Sequence, residues 1–149
     1  MRSHQGVLDT SAVILLGRLD PEELPEQPLI TAITLAELSV GPLVATDESE
    51  RANRLAHLQQ AEADFEALPF DELAARAFGR VAASLRTSGR KPAARAYDAL
   101  IAATAIANGL PLFTCNPKDF RSIDGLTVVA VPVPSTAPAT PPSQRKPPA

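Results

Sequence analysis

Two stretches of this chain follow one plan, and that plan limits the folds open to it. "GVLDTSAVILLG", Gly6 to Gly17, opens on a brief apolar run, Val7–Leu8, then offers Asp9, Thr10 and Ser11 as helix-capping residues, and continues apolar up to a glycine. "LITAITLAELSVG" repeats the sequence of events: a β-branched apolar run over 29–33, Thr34 as the expected N-cap, and a helix over 35–40. The remainder continues the alternation. Helical periodicity covers 48–67, a short strand or connector covers 68–70, and Asp71 caps a helix ending near Gly89. "KPAARAYDALIAATAIANG" is the next helix, with Pro92 suited to its first turn and Gly109 to its C′ end. Strands are expected at 110–114 and 126–131, with "PKDF" between them as a turn or short helix. Strands that alternate with helices predict an α/β fold: a central, mostly parallel sheet of four or five strands with helices on both faces.

The chain has 149 residues, which suggests one folded domain, expected over 1–131. The segment 132–149, "PVPSTAPATPPSQRKPPA", is rich in proline and poor in large apolar residues, so it is expected to be a disordered tail. Apolar residues make up 45% of the chain but aromatics only 4%, so Ala and Leu must fill the core, which favours helices. A single cysteine excludes an intrachain disulfide and suits a reducing compartment. No signal-like segment and no run of membrane-spanning length stands in the sequence, so a soluble cytoplasmic protein is expected. The net charge of −3 argues against strong bulk attraction to nucleic acid. The basic residues are nevertheless concentrated, running from Arg76 to Arg95 without an acid.

In a parallel sheet of this kind, ligands bind beyond the carboxyl ends of the strands. Asp9 follows the first strand, Glu37 lies early in the helix after the second, and Thr114, Asn116 and Asp119 follow a later strand. Asp98 stands at the head of "DALIAATAIA", where the only other polar side chain is Thr104. An ionised carboxylate among Ala, Leu and Ile needs compensation. Several carboxylates with no basic residue expected among them share a site only if their pKa values rise or a cation sits between them. Oxygen-only donors fit Mg²⁺ or Mn²⁺, which can activate water and neutralise charge on a phosphoryl group.

Each acid also has a plainer reading. Asp9 could cap a helix, Thr34 to Glu37 matches a capping box, and Asp119 could cap a turn. Asp98 resists such a reading because its surroundings are so apolar. His4 and His57 lie apart on polar segments, so neither a Ser–His–Asp arrangement nor a zinc site is expected. Cys115 reads as a small core residue, and no glycine-rich phosphate loop is present.

The segments "VLDTSAVILL", "ITLAEL", "YDALIAATAIANGLPLFTCN" and "KDF" occur in an order that resembles the PIN-domain family, in particular the VapC toxins of type II toxin–antitoxin pairs. The resemblance implies a PIN fold and a Mg²⁺- or Mn²⁺-dependent endoribonuclease. It implies Asp9, Glu37, Asp98 and Asp119 as the catalytic acids, with Asn116 an alternative to Asp119, and Asp9 and Asp98 as the main metal ligands. Thr10, Ser11 and Thr114 are implied as hydroxyls flanking the site. A homodimer, silenced by a VapB-like antitoxin that covers the site, is implied as well. Under this reading Arg86, Arg90, Lys91 and Arg95 would grip the RNA backbone. Two alternatives are a haloacid-dehalogenase-like phosphatase with Asp9 as nucleophile, and a PIN fold that serves only protein contacts.

Overall fold

The computed structural model describes residues 4–91 and 95–134. The expected helical start at Pro92, and the tail from residue 135 onward, lie outside the described residues. Five parallel strands form one sheet in the order β3-β2-β1-β4-β5. They are β1 (Gln5–Leu8), β2 (Gln27–Thr31), β3 (Ala67–Leu68), β4 (Leu112–Thr114) and β5 (Val128–Ala130). The helices are α1 (Thr10–Ile14), α2 (Ala32–Leu43), α3 (Glu48–Asp64), α4 (Glu72–Thr87) and α5 (Ala96–Ala107).

Successive strand residues face opposite sides of a sheet, and here both sides are apolar. Val7 and Leu112 pair and join a core with Ala77, Val81 and Leu85 of α4 and Ile101, Ala102 and Ala105 of α5. Leu8 and Phe113, the next pair along, join a second core with Ala12 and Val13 of α1, Leu38 of α2 and Ala61 of α3. Helices therefore cover both faces, as the alternation predicted. A Cβ on Gly6 would stand 2.4 Å from Cε1 of Phe113, so β1 needs glycine where that ring crosses it.

Several boundaries differ from the sequence reading. The strand expected over 29–33 ends at Thr31, whose hydroxyl accepts the Thr34 N–H at 3.2 Å and caps α2. Thr34 is thus inside the first turn, and the expected Thr34–Glu37 capping box does not form. Helix α3 stops at Asp64, three residues early, because Ala67 is taken up in pairing with Ile30 of β2. β3 lies at 67–68 rather than 68–70, and the last strand covers 128–130 rather than 126–131.

Asp71 caps α4 as expected, accepting the Ala74 N–H at 3.0 Å. Both α4 and α5 end in a Schellman arrangement. Gly89 takes φ 81° and Gly109 takes φ 64°, and the residue after each donates back to a carbonyl five residues earlier: Arg90 to Leu85 at 2.8 Å, Leu110 to Ala105 at 3.0 Å. The first of these turns brings Arg90 out of α4 toward the end of β4. "PKDF" forms one 3₁₀ turn, Pro117–Phe120, anchored by the fully buried Phe120.

Candidate active site

From β1 the chain runs to β2 and β3 on one side, and β4 and β5 lie on the other. The sheet order therefore switches between β1 and β4, the point where an open parallel sheet forms its ligand crevice at the strands' carboxyl ends. Asp9 stands there, directly after β1. It is 4% exposed, and both its oxygens are engaged. Oδ1 accepts the Ala12 N–H at 2.9 Å and the Ser11 hydroxyl at 2.7 Å, and Oδ2 accepts the Thr114 hydroxyl at 2.5 Å from across the switch point. Ser11 and Thr114 also accept the Cys115 and Asn116 N–H groups, at 3.3 and 2.9 Å. The turns after β1 and β4 are laced together by two hydroxyls. Asp9 is consequently both a helix cap and a member of the acid group. The two readings that its sequence offered are compatible.

Glu37 faces the same crevice from α2. Its Oε1 accepts the Thr10 hydroxyl at 2.7 Å. Since Thr10 gives its proton to Glu37, the 3.0 Å contact between Thr10 and Thr34 has Thr34 as donor. Asp98 enters from the first turn of α5. Asp119 enters from the 3₁₀ turn, and the Asn116 side chain is exposed. The Asp119 charge raises the proton affinity of both Asp9 and Asp98.

The electrostatics record the crowding. Burial pushes Asp9 above its ordinary range, although hydrogen bonds from Thr114, Ser11 and Ala12 oppose it. Burial also raises Glu37, with the Thr10 bond opposing and the Asp9 charge adding to it. Asp98 is pushed up to about 6, first by burial and then by the charges of Asp119, Glu37 and Asp9, with Arg95 pulling the other way. Burial raises the Cys115 thiol as well, which fits an inert core-facing group.

One expectation is overturned: the acids do have a basic neighbour. Arg95 Nη1 donates to Asp119 Oδ1 at 2.6 Å. Arg90 Nη2 donates to the Lys118 carbonyl at 2.7 Å, and its Nη1 to the Asp119 carbonyl at 3.2 Å. Two of the four cations assigned to RNA are therefore engaged with the 3₁₀ turn, and Arg86 and Lys91 are exposed. With Arg95 on Asp119 and protein donors on both Asp9 oxygens, no three acidic, histidine or cysteine side chains among the described residues stand as a ready metal-ligand group. The donor set is still all oxygen, the chemistry that hard divalent cations take.

Beside Glu37 lies a groove of about 400 Å³, lined by Thr10, Ile14, Leu38, Gly41, Arg54 and His57 among others. A larger cavity of about 600 Å³ between α4 and the 122–125 turn contains none of the four acids. The sequence reading missed the Thr10–Thr34 contact beside Glu37, the Arg90 contacts and the groove position of His57. Only the spacing of Thr10 and Thr34 from their strand ends could have signalled the first.

Residues 6–126 match the family model for the PIN domain. Ribonuclease VapC5 of Mycobacterium tuberculosis is 43% identical over 129 residues, covering 85% of this chain and 93% of that protein. Ribonuclease VapC1 of Rickettsia felis is 33% identical over 129 residues, covering 84% and 95%. The crystal structure of VapBC-5 from Mycobacterium tuberculosis, a member of the VapBC family of toxin–antitoxin systems, aligns with a TM-score of 0.76 at 40% identity, covering 86% of this chain and 99% of that one. The acids thus occupy the crevice of a fold that both sequence and structure match along most of its length, and the chain belongs to the PIN-domain family, on its VapC branch.

Proposed function

We propose that this chain is the toxin of a type II toxin–antitoxin pair, an endoribonuclease that hydrolyses RNA phosphodiester bonds with Mg²⁺ or Mn²⁺. The observation that carries the reading is the set of four carboxylates at the switch point, with Asp98 pushed up to about 6 by burial and its acidic neighbours. Such a group is destabilised alone and relieved by a divalent cation.

Asp9 and Asp98 would hold the ion, which when bound supplies a polarised water and charge neutralisation at the phosphate. The chain's own residues prepare the rest. Ser11, Ala12 and Thr114 lock the Asp9 carboxylate in one orientation. Thr10 fixes Oε1 of Glu37, leaving Oε2 to take a proton from the attacking water. Asp119 would turn from Arg95 to complete the donor set, freeing a guanidinium beside the phosphate. Exposed Arg86 and Lys91 would hold the RNA backbone.

The groove beside Glu37, with exposed Ile14, Val40 and Leu43 on the helices around it, suits an apolar segment of a VapB-like antitoxin that would cover the site. Exposed Phe70, Leu73 and Tyr97 offer apolar surface to a second copy in a homodimer. No helix among the described residues is long and apolar enough to cross a membrane. A cytoplasmic location belongs to the same proposal, since that is where a toxin of this kind meets RNA. The folded unit would be residues 1–131, with 132–149 a separate tail.

Analysis of product ends tests the chemistry. With water as nucleophile, fragments carry 5′-phosphate and 3′-hydroxyl ends. A 2′,3′-cyclic phosphate would instead make the RNA 2′-hydroxyl the nucleophile and remove the water-activating role given to these acids.

A further inference from the structure

The basic run that ends at Arg95 divides into two groups. Arg86 and Lys91 are exposed, while Arg90 is half-buried and its guanidinium reaches the 3₁₀ turn. Its guanidinium bridges two consecutive carbonyls, Lys118 and Asp119, across 28 and 29 residues of sequence. The placement of Arg90 is itself fixed. Gly89 adopts φ 81°, and the Arg90 N–H returns to the Leu85 carbonyl, so Arg90 leaves α4 in one direction.

The bridged turn carries Asp119. It is held at four points: Phe120 in the core, the Asp119 N–H on the Asn116 carbonyl at 3.0 Å, Arg90 on the two carbonyls, and Arg95 on the Asp119 carboxylate at 2.6 Å. Two arginines tie this turn to the approach to α5, the helix that bears Asp98: Arg95 holds the Asp119 side chain, and Arg90 alone of the two holds its main chain. A planar guanidinium can span two adjacent carbonyls, whereas an ammonium is a point donor.

We propose that Arg90 is a positioning residue: by clamping the Lys118 and Asp119 carbonyls it fixes the main chain from which the Asp119 carboxylate can turn from Arg95 to join Asp98 and Asp9, and it does not contact RNA. The inference rests on the metal-dependent reading above, and it moves Arg90 out of the group of cations expected to grip the RNA backbone. Loss of a residue that orients a metal ligand typically weakens metal affinity by about 10–100-fold.

The test uses the full chain with Arg90→Gln and Arg90→Lys. Calorimetric titration of metal-free protein with Mn²⁺ is expected to show at least about tenfold weaker binding in both variants. Ile101→Ala, a core truncation, is expected to lower the thermal midpoint and leave Mn²⁺ affinity of the folded protein unchanged, which separates positioning from general destabilisation. In the Asp98→Asn background, RNA binding across a salt series is expected to keep its slope in Arg90→Gln. In Arg86→Gln and Lys91→Gln the slope should fall by about 0.7 for each phosphate that is no longer neutralised. Wild-type Mn²⁺ affinity in the Arg90 variants would overturn the proposal, as would a reduced salt slope in Arg90→Gln. If the Gln variant does not fold, the Lys variant decides. If the wild type binds no Mn²⁺, the metal reading fails separately. The clamp is then judged by amide exchange at Asp119 and Phe120, with acceleration in the Arg90 variants supporting it and unchanged exchange overturning it.

Discussion

Asp98 shows how much one side chain reveals in advance. Its neighbours on α5, Ala99, Ile101 and Ala102, are almost wholly buried, so the need for compensation was legible from the apolar run alone. The compensation was less legible. Arg95 is close in sequence to Asp98, yet its partner Asp119 is 24 residues away, and a loop path that no local pattern encodes brings the two together. The consequence for stability has a definite sign. Asp98 moves from an ordinary value of 3.8 to about 6 in the fold, so the folded state holds its proton more tightly than the unfolded chain does. That contribution is fully present below pH 3.8 and is lost as pH rises through about 6. The raised Asp9 and Glu37 act in the same direction. Metal-free protein should therefore melt at a lower temperature at neutral pH than in mild acid. Asp98→Asn should flatten this dependence and raise the neutral-pH midpoint by a few degrees. Thermal melts in EDTA across pH check this, and an identical pH profile in the two proteins would contradict it.

Elements were more legible than their ends. The two strand–turn–helix units were visible because apolar runs and capping residues agree with each other there. The N-cap of α2 was misplaced because Thr31 and Thr34 offer the same hydroxyl, and sheet pairing decides which of them ends the strand. β1 pairs with β2 up to Val7 and Leu29, and the next residues carry β2 only to Thr31. β3 was misplaced for a related reason. Its two residues have little strand character of their own, and their pairing with Ile30 and Thr31 defines them. Gly6 makes the packing of β1 measurable. A methyl group there meets the buried Phe113 ring at 2.4 Å, within a strand bonded on both sides. Gly6→Ala should cost about 1–3 kcal/mol in urea unfolding, the range for overpacking a core that cannot yield. At Gly109 a Cβ meets nothing within 4 Å, so alanine there is opposed only by the positive φ, at about 1 kcal/mol. Equal losses at both positions would show that the ring gives way.

For the molecule as a whole, alternation of strands and helices was enough to predict a parallel sheet covered on both faces. It did not determine the strand order. The order β3-β2-β1-β4-β5 is what turns scattered acids into neighbours, because it sets β1 beside β4 and lets Thr114 reach Asp9 across 105 residues of sequence. The charge balance follows the same logic. A net charge of −3 concealed a local division, in which carboxylates collect at the crevice while the segment from Arg76 to Arg95 carries basic residues and no acid. The proposed function depends on the crevice cutting RNA through its carboxylates and a divalent cation. The decisive experiment is incubation of total cellular RNA with purified wild type and Asp98→Asn, in Mg²⁺, in Mn²⁺ and in EDTA. Discrete fragments are expected from the wild type with either metal, none in EDTA, and none from a folded Asp98→Asn protein. Cleavage that persists in EDTA, or that is equal in the two proteins, would contradict a metal-dependent carboxylate site.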